Sequence, residues 1–287
     1  MFVEATHPVK INFAYTIYYK MKSVRPKKQL GQHFLTDLGI AKAIADTVDA
    51  CPGIPVLEVG PGMGVLTQYL MQKGRELKVV EIDAESVDYL NEKYESLRDN
   101  IIADDFLKMD LSCIFGGRKF VLTGNYPYDI SSQIFFKMLD NKDLIPCCTG
   151  MIQREVAQRI ASAPGCKAYG ILSVMIQAWY DVEYLFTVGE GVFNPPPKVK
   201  SAVIRMTRNG VEDLGCDWDL FRRVVKTAFN QRRKMLRVSL RPLFAGRAVS
   251  EAFLAESIMT MRPEQLSVPM FVDLTNMVAR ELSYTII

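Results

Sequence analysis

Ile54-Pro55-Val56-Leu57-Glu58-Val59-Gly60-Pro61-Gly62-Met63-Gly64 is an apolar run that ends in a glycine turn. A run that is apolar throughout, not alternating, reads as a strand buried on both faces. Val65 to Gln72 then reads as a helix. The same unit recurs on either side. Upstream, Asp37 caps a helix reaching Val48, with Ile40, Ala43, Ile44 and Val48 apolar. Downstream, Leu77 to Ile82 forms a second strand, closed by Glu81-Ile82-Asp83, and Ala84 to Leu97 a helix. Ile101-Ile102 is a short strand before Asp104-Asp105. Lys119 to Thr123 is another, ending at Asn125-Tyr126-Pro127-Tyr128, and Ser131 to Leu139 is helical. Strands alternating with helices imply an α/β fold with a doubly wound parallel sheet. The glycines, the acids and the Asn-Tyr-Pro-Tyr cluster all follow strand ends, where open sheets of this kind bind ligands.

Farther along, Tyr169 to Trp179 reads as a buried helix. Asp181 to Val188 and Lys200 to Thr207 read as an antiparallel hairpin finishing the sheet. Phe193-Asn194-Pro195-Pro196-Pro197 connects them rigidly. Asn209 to Gly215 is a linker, and the pattern is helical from there to the end. At 287 residues the chain has room for one large domain and a small one. The divisions expected are an N-terminal extension over 1–24, a ligand-binding α/β domain over 25–208 and an all-helical domain over 209–287. Met21 opens Met-Lys-Ser-Val-Arg-Pro-Lys-Lys, which looks like a natural start, hence the extension.

Hydrophobic residues make up 49% and charged ones 23%, which excludes a disordered chain. The net charge of +3 says little, but its distribution says more. Arg222 to Arg247 holds nine Lys or Arg and no acid, and Lys10 to Lys28 holds six and no acid. Two such blocks suggest contact with a polyanion, against the plainer reading of solvated helix faces. The six cysteines form no C-x-x-C pair and none stands beside His at metal-ligand spacing, so reduced thiols, a cytoplasmic protein and no metal are expected. There is no apolar run of 18 residues and no clean signal-peptide pattern, so no membrane association is expected. With only His7 and His33 present, chemistry needing a His general base has almost nowhere to reside.

The glycine turn does not fit a nicotinamide fingerprint, which needs G-x-G-x-x-G and here meets Val65. Glu58-Val59-Gly60-x-Gly62-x-Gly64 instead resembles the S-adenosylmethionine loop of class I methyltransferases, with Gly60 and Gly62 close to the ligand. Glu81, at the next strand end, can accept from two ribose hydroxyls at once. Asp105 can accept from an adenine amino group, whereas Asp104 reads as a solvated turn. Asn125-Tyr126-Pro127-Tyr128 suits methylation of an adenine amine, whose lone pair is delocalised into the ring. The Asn125 side-chain oxygen and the Pro127 carbonyl, aimed at the amine hydrogens, pull the nitrogen toward sp³ geometry, and the proline pre-positions them. Tyr128 offers an aromatic face to a base extruded from its stack. Attack on a sulfonium methyl needs in-line placement but no covalent nucleophile, so the scarcity of His is no obstacle.

Four stretches together make the chain resemble the ribosomal RNA small-subunit adenine dimethyltransferases, the kasugamycin-sensitivity family. They are Pro26-Lys27-Lys28-Gln29-Leu30-Gly31-Gln32-His33-Phe34-Leu35, the Glu58 to Gly64 loop, Asn125-Tyr126-Pro127-Tyr128-Asp129-Ile130-Ser131, and Phe193-Asn194-Pro195-Pro196-Pro197-Lys198-Val199 with Phe229-Asn230-Gln231-Arg232-Arg233-Lys234. The resemblance implies a Rossmann-like class I methyltransferase sheet with a small C-terminal helical domain. The cofactor implied is S-adenosyl-L-methionine, and the reaction is dimethylation of two adjacent adenosines in a 3′-terminal hairpin loop of small-subunit rRNA. The implied partner is the assembling small subunit, engaged by a monomer. It further implies that His33 and Leu35 reach the cofactor from an N-terminal segment folded over the site. Gly60, Glu81, Asp105 and Asn125 would complete the cofactor shell, and Tyr128 and Phe193 would sandwich the target base. The family usually reads Asn-Leu-Pro-Tyr-Asn, so Tyr126 and Asp129 are departures.

The RNA-docking expectation rests on Arg232, Arg233, Lys234 and Arg237 in one helix, with Arg233 and Arg237 on a common face. Three other readings compete: a large-subunit rRNA adenine methyltransferase of the macrolide-resistance type, an assembly factor without catalysis, and a nicotinamide dehydrogenase. The Pro-Pro-Pro-Lys-Val and Phe-Asn-Gln-Arg-Arg-Lys stretches favour the small-subunit family over the first. The intact Gly60, Glu81, Asp105 and Asn125 set argues against the second. Glycine spacing disfavours the third.

Overall fold

A computed structural model of the chain describes residues 24–27 and 30–284. Residues 1–23 of the expected extension, and Lys10, Lys20, Lys22 and Lys28 of the first basic block, therefore lie outside the described residues, as does Gln29. The strands are β1 (Phe34–Leu35), β2 (Val56–Val59), β3 (Leu77–Glu81), β4 (Ile101–Ala103), β5 (Val121–Thr123), β6 (Cys147–Gln153), β7 (Tyr180–Val188), β8 (Phe193–Asn194) and β9 (Ser201–Arg208). The helices are α1 (Leu38–Asp46), α2 (Thr67–Leu70), α3 (Ala84–Lys93), α4 (Ser131–Asp140), α5 (Arg154–Ile160), α6 (Ile171–Gln177), α7 (Trp218–Asn230), α8 (Leu236–Ser239), α9 (Glu251–Ala255) and α10 (Val268–Tyr284).

Seven strands form one sheet in the order β4-β3-β2-β5-β6-β9-β7, parallel through β6 and antiparallel at β9 and β7. Successive residues of a strand go to opposite faces. Val56 and Val121 join the apolar layer containing Ala41, Ile44 and Val48 of the first helical stretch, whereas Leu57 and Leu122 join the layer under α4 and α6. Both faces are thereby covered, which is why these strands read as continuous apolar runs. The second layer extends without a break into Phe221, Phe271 and Leu274 of the C-terminal helices, with Trp218 edge-on to Trp179 at 5.6 Å between ring centres.

Several elements differ from expectation for identifiable reasons. β6 gave no strand signal, because its Cys-Cys-Thr-Gly start offers a single β-branched residue and carries an internal glycine. β9 and β7 pair antiparallel as expected, but β9 lies between β6 and β7. The helix after the glycine turn is only Thr67–Leu70, followed by a tighter turn over Met71–Lys73. The helix from Ala84 stops at Lys93 because Tyr94 leaves helical geometry, its hydroxyl donating to Gly64 O at 2.9 Å.

The largest correction concerns the basic block. It is not one helix. α7 ends at Asn230, residues 231–234 turn, and α8 begins at Leu236. Leu236 is fully buried and its N–H donates to Met261 O at 2.8 Å, so burial and a tertiary hydrogen bond redirect the chain. Arg233 and Arg237 therefore do not share a helix face.

Candidate active site

Five chain segments meet at the C-terminal ends of β2, β3, β4 and β5. They enclose a cleft of about 240 Å³. Gly60 and Gly62 form its floor, and Glu81 and Ile82 one wall. Asp104–Leu107 form the next wall, Asn125–Ile130 the opposite one, and Leu30–Phe34 cover it.

The floor is shaped by Gly62, whose φ is +53° and whose missing side chain leaves room for the Phe34 ring. A Cβ there would stand 2.8 Å from Phe34 Cε1. The Gly62 N–H donates to Glu81 Oε2 at 3.0 Å, and the Asp83 N–H donates to Glu81 Oε1 at 2.9 Å. Glu81 is thus locked in one orientation while 5% of it remains accessible, facing the cleft. Burial raises its carboxyl pKa, and the two N–H donors pull it back. Behind the loop, Glu58 is almost fully buried, and burial pushes its carboxyl up to about 8.

The cover is a strap held at both ends. Asp83, buried, takes Lys27 Nζ and Gln32 Nε2 as well as the Ser86 hydroxyl. Burial works to raise its pKa, but these partners hold it below the usual carboxylate value. At the other end β1 pairs with β8, Thr36 N donates to Val192 O at 2.8 Å, and a hydrogen bond of 2.8 Å joins His33 Nδ1 to Pro195 O.

Asn125 links strap and wall. Its Nδ2 donates to His33 O at 3.1 Å, which commits the amide nitrogen to the strap and leaves Oδ1 as the free acceptor at the cleft. Among the described residues the Pro127 carbonyl accepts a single distant N–H, from Ile130 at 3.3 Å, and so retains accepting capacity. Tyr128 is half-buried, its hydroxyl bonded to Ser201 Oγ, and its ring stands 5.5 Å from the His33 ring at 31°. Tyr126, the departure from the usual pattern, points away into the core. It is 1% exposed, edge-on to Phe135, and its hydroxyl donates to Thr149 O at 3.0 Å.

His33, Gly60, Gly62, Glu81, Asp105, Asn125, Pro127 and Tyr128 are therefore gathered at one cleft. Two expected members are not. Phe193 is 4% exposed and packed with Val188 and Val203, because pairing of β8 with β1 turns its ring into the core. Leu35, its register partner, is likewise buried and borders a separate cavity of about 30 Å³ behind the glycine loop. The ring that approaches Tyr128 is His33, and the apolar residues of the strap at the cleft are Leu30 and Phe34. Two further lining residues went unnoticed in the sequence. Ile82 is 58% exposed beside Glu81, and Phe106 backs Asp105. An apolar residue between two acids at a strand end is the signal that marks Ile82.

The arrangement is a cradle with a buried acceptor pair at Glu81, a second carboxylate at Asp105, exposed apolar surface at Ile82, and a separate pair of neutral acceptors beside an aromatic ring. It suits a ligand bearing hydroxyls and an amine, next to a second amine. Residues 24–280 match the family described as ribosomal RNA adenine dimethylase. The chain is 66% identical over 266 residues to ribosomal RNA small subunit methyltransferase A of Bacteroides fragilis, covering 93% of this chain and 97% of that one. A dimethyladenosine transferase from Plasmodium falciparum has the same fold at a TM-score of 0.72 and 22% identity, over 88% of this chain and 98% of that one. The 23S rRNA methyltransferase ErmE aligns at 0.61 and 28% identity, over 86% and 99%. The match over nearly the whole described chain, with the acceptor cleft at its centre, makes this protein a member of the ribosomal RNA adenine dimethylase family.

Proposed function

We propose that the chain transfers methyl groups from S-adenosyl-L-methionine to the N6 amines of two adjacent adenosines in a 3′-terminal hairpin loop of small-subunit rRNA. It acts as a monomer in the cytoplasm, on the assembling small subunit. The observation that carries this reading is the Asn125 amide held by His33 O, with Pro127 and Tyr128 beside it, in the cleft that contains Glu81 and Asp105. Two-thirds identity to a small-subunit enzyme, against 28% to a large-subunit one, favours the small subunit over the macrolide-resistance type of substrate. The intact cleft supports catalysis over a purely RNA-binding role.

The cofactor, when bound, supplies an electrophilic methyl on a sulfonium centre. The chain's own residues do the rest. Glu81 holds the ribose hydroxyls, Gly60 and Gly62 let the backbone approach, and Asp105 accepts from the adenine amine. Asn125 Oδ1 and Pro127 O draw on the target amine, and Tyr128 supports the extruded base. The deciding experiment incubates the protein with labelled cofactor and either unmethylated small subunits or large-subunit rRNA, and maps the modified bases. Label confined to large-subunit rRNA overturns the proposal.

Glu81→Ala removes both ribose acceptors and strands the Gly62 and Asp83 N–H groups. Cofactor binding should weaken by about 1.5–3 kcal/mol, the range for hydrogen bonds to a charged group. Calorimetry with S-adenosyl-L-homocysteine reads this directly, and unchanged affinity in a folded mutant sinks the assignment.

RNA docking now rests on a turn and not on a helix face. Arg232 donates to Cys166 O at 3.1 Å and stands 3.9 Å from Glu264, so it serves partly as an internal tie. Arg233, Lys234 and Arg237 are exposed, and among the described residues none has a carboxylate partner. A local cationic knuckle of this kind can still follow a phosphate backbone without reading bases. Reversing Arg233 and Arg237 to Glu should weaken RNA binding and flatten its salt dependence, with cofactor affinity untouched. Filter binding across a salt series with the same affinity and slope for both proteins returns the knuckle to solvated surface.

A further inference from the structure

Lys137 projects from α4, the helix that begins directly after the Tyr128–Ile130 turn. Lys137 is half-buried and its ammonium turns onto the neighbouring loop. It donates to Leu107 O at 3.0 Å and to Met109 O, and lies 5.7 Å from the centre of the Phe106 ring. These groups belong to the loop that follows β4. The same loop folds on Asp105. Asp105 Oδ1 accepts from Leu107 N at 3.0 Å, and Asp105 O accepts from Lys108 N at 2.9 Å and Met109 N at 3.2 Å. Phe106, 4% exposed, also fixes the loop to the core. Burial lowers the Lys137 pKa, while Asp105, Asp110, Asp140 and Asp104 oppose that drop. Two carbonyls and a ring thus hold the half-buried ammonium against an acidic loop.

We infer that Lys137 is a positioning residue for cofactor selection. By clamping the Leu107 and Met109 carbonyls to α4 it sets where the Asp105 carboxylate meets the adenine edge of the cofactor. It also ties that contact to the helix that follows the acceptor turn. The inference rests on the reading that Asp105 accepts from the adenine amine, and the test separates the two.

Calorimetry is run with S-adenosyl-L-homocysteine and with its inosyl counterpart, which carries a carbonyl in place of the amine. Wild type prefers the adenosyl form. In Lys137→Met that preference should fall about tenfold, the loss of one hydrogen bond to a charged group, because the carboxylate no longer sits at the amine. Lys137→Gln substitutes if the methionine variant does not fold. A loss of affinity equal for both compounds means that Lys137 only supports the loop, and overturns the inference. Asp105→Ala is the control. If it lowers the preference and Lys137→Met does not, Lys137 alone is refuted. If Asp105→Ala leaves the preference intact, the reading of Asp105 falls and the inference with it.

Discussion

Asn125→Ala is expected to lower methyl-transfer turnover about 10²- to 10³-fold at saturating cofactor and RNA, the usual cost of one pre-organised acceptor or donor at a reacting centre. RNA affinity should change little, because the Asn125 oxygen gains most as positive charge develops on the amine during transfer. The structure sharpens the expectation. With Nδ2 committed to His33 O, the side chain does not have to reorient at the moment of reaction. Alanine also frees the strap at His33, so the KM for cofactor should rise as well, by less than turnover falls. Single-turnover rates at saturating concentrations separate the two effects. A mutant rate within a few-fold of wild type refutes the role.

Gly150→Ala is expected to be the most damaging single-methyl change to the fold around the site. Gly150 lies in β6 with φ +147°, beside the strand end that carries Asn125. An added Cβ would overlap Gly124 O and stand 2.7 Å from Tyr126 Cε2. One is backbone, and the other is a ring packed at 1% exposure, so neither yields cheaply. Overpacking and backbone strain together should cost about 3 kcal/mol or more, seen as a fall in Tm of roughly 6–12 °C or beyond. Tyr126→Leu in the same chain relieves the ring contact but also gives up the Thr149 hydrogen bond and the Phe135 packing and leaves the clash with Gly124 O, so it should not restore the wild-type Tm. A Tm within 2 °C of wild type, on a scale of about 2–4 °C per kcal/mol, contradicts the close packing of these two strand ends.

The Tyr126 position shows how far the motif could be read. That its side chain leaves the acceptor geometry was legible, because alternate residues at a strand end face opposite ways. What it would find there was not. The buried hydroxyl is satisfied by Thr149 O on β6, a strand that the sequence did not announce. The orientation of Phe193 was not legible for a related reason. Its spacing after β7 and before a proline run says that it lies near the strand ends, but which way the ring turns depends on the pairing Leu35↔Phe193 between segments about 160 residues apart.

The sequence by itself determined the doubly wound sheet, the glycine floor, the carboxylates Glu81 and Asp105, and the Asn125-to-Tyr128 acceptor turn. These follow from local periodicity and from chemistry written within a few residues, which neighbouring chain cannot easily override. Only the tertiary structure decided that Asn125 spends its amide nitrogen on the strap, that Lys27 and Gln32 anchor that strap on Asp83, and that Lys137 holds the Asp105 loop. It alone broke the basic block into a turn at residues 231–234. Each of these is a contact between residues far apart in the chain, or a backbone redirected to bury one side chain such as Leu236. Their energies, a hydrogen bond or a buried leucine apiece, exceed the few tenths of a kcal/mol by which local propensity prefers one conformation over another.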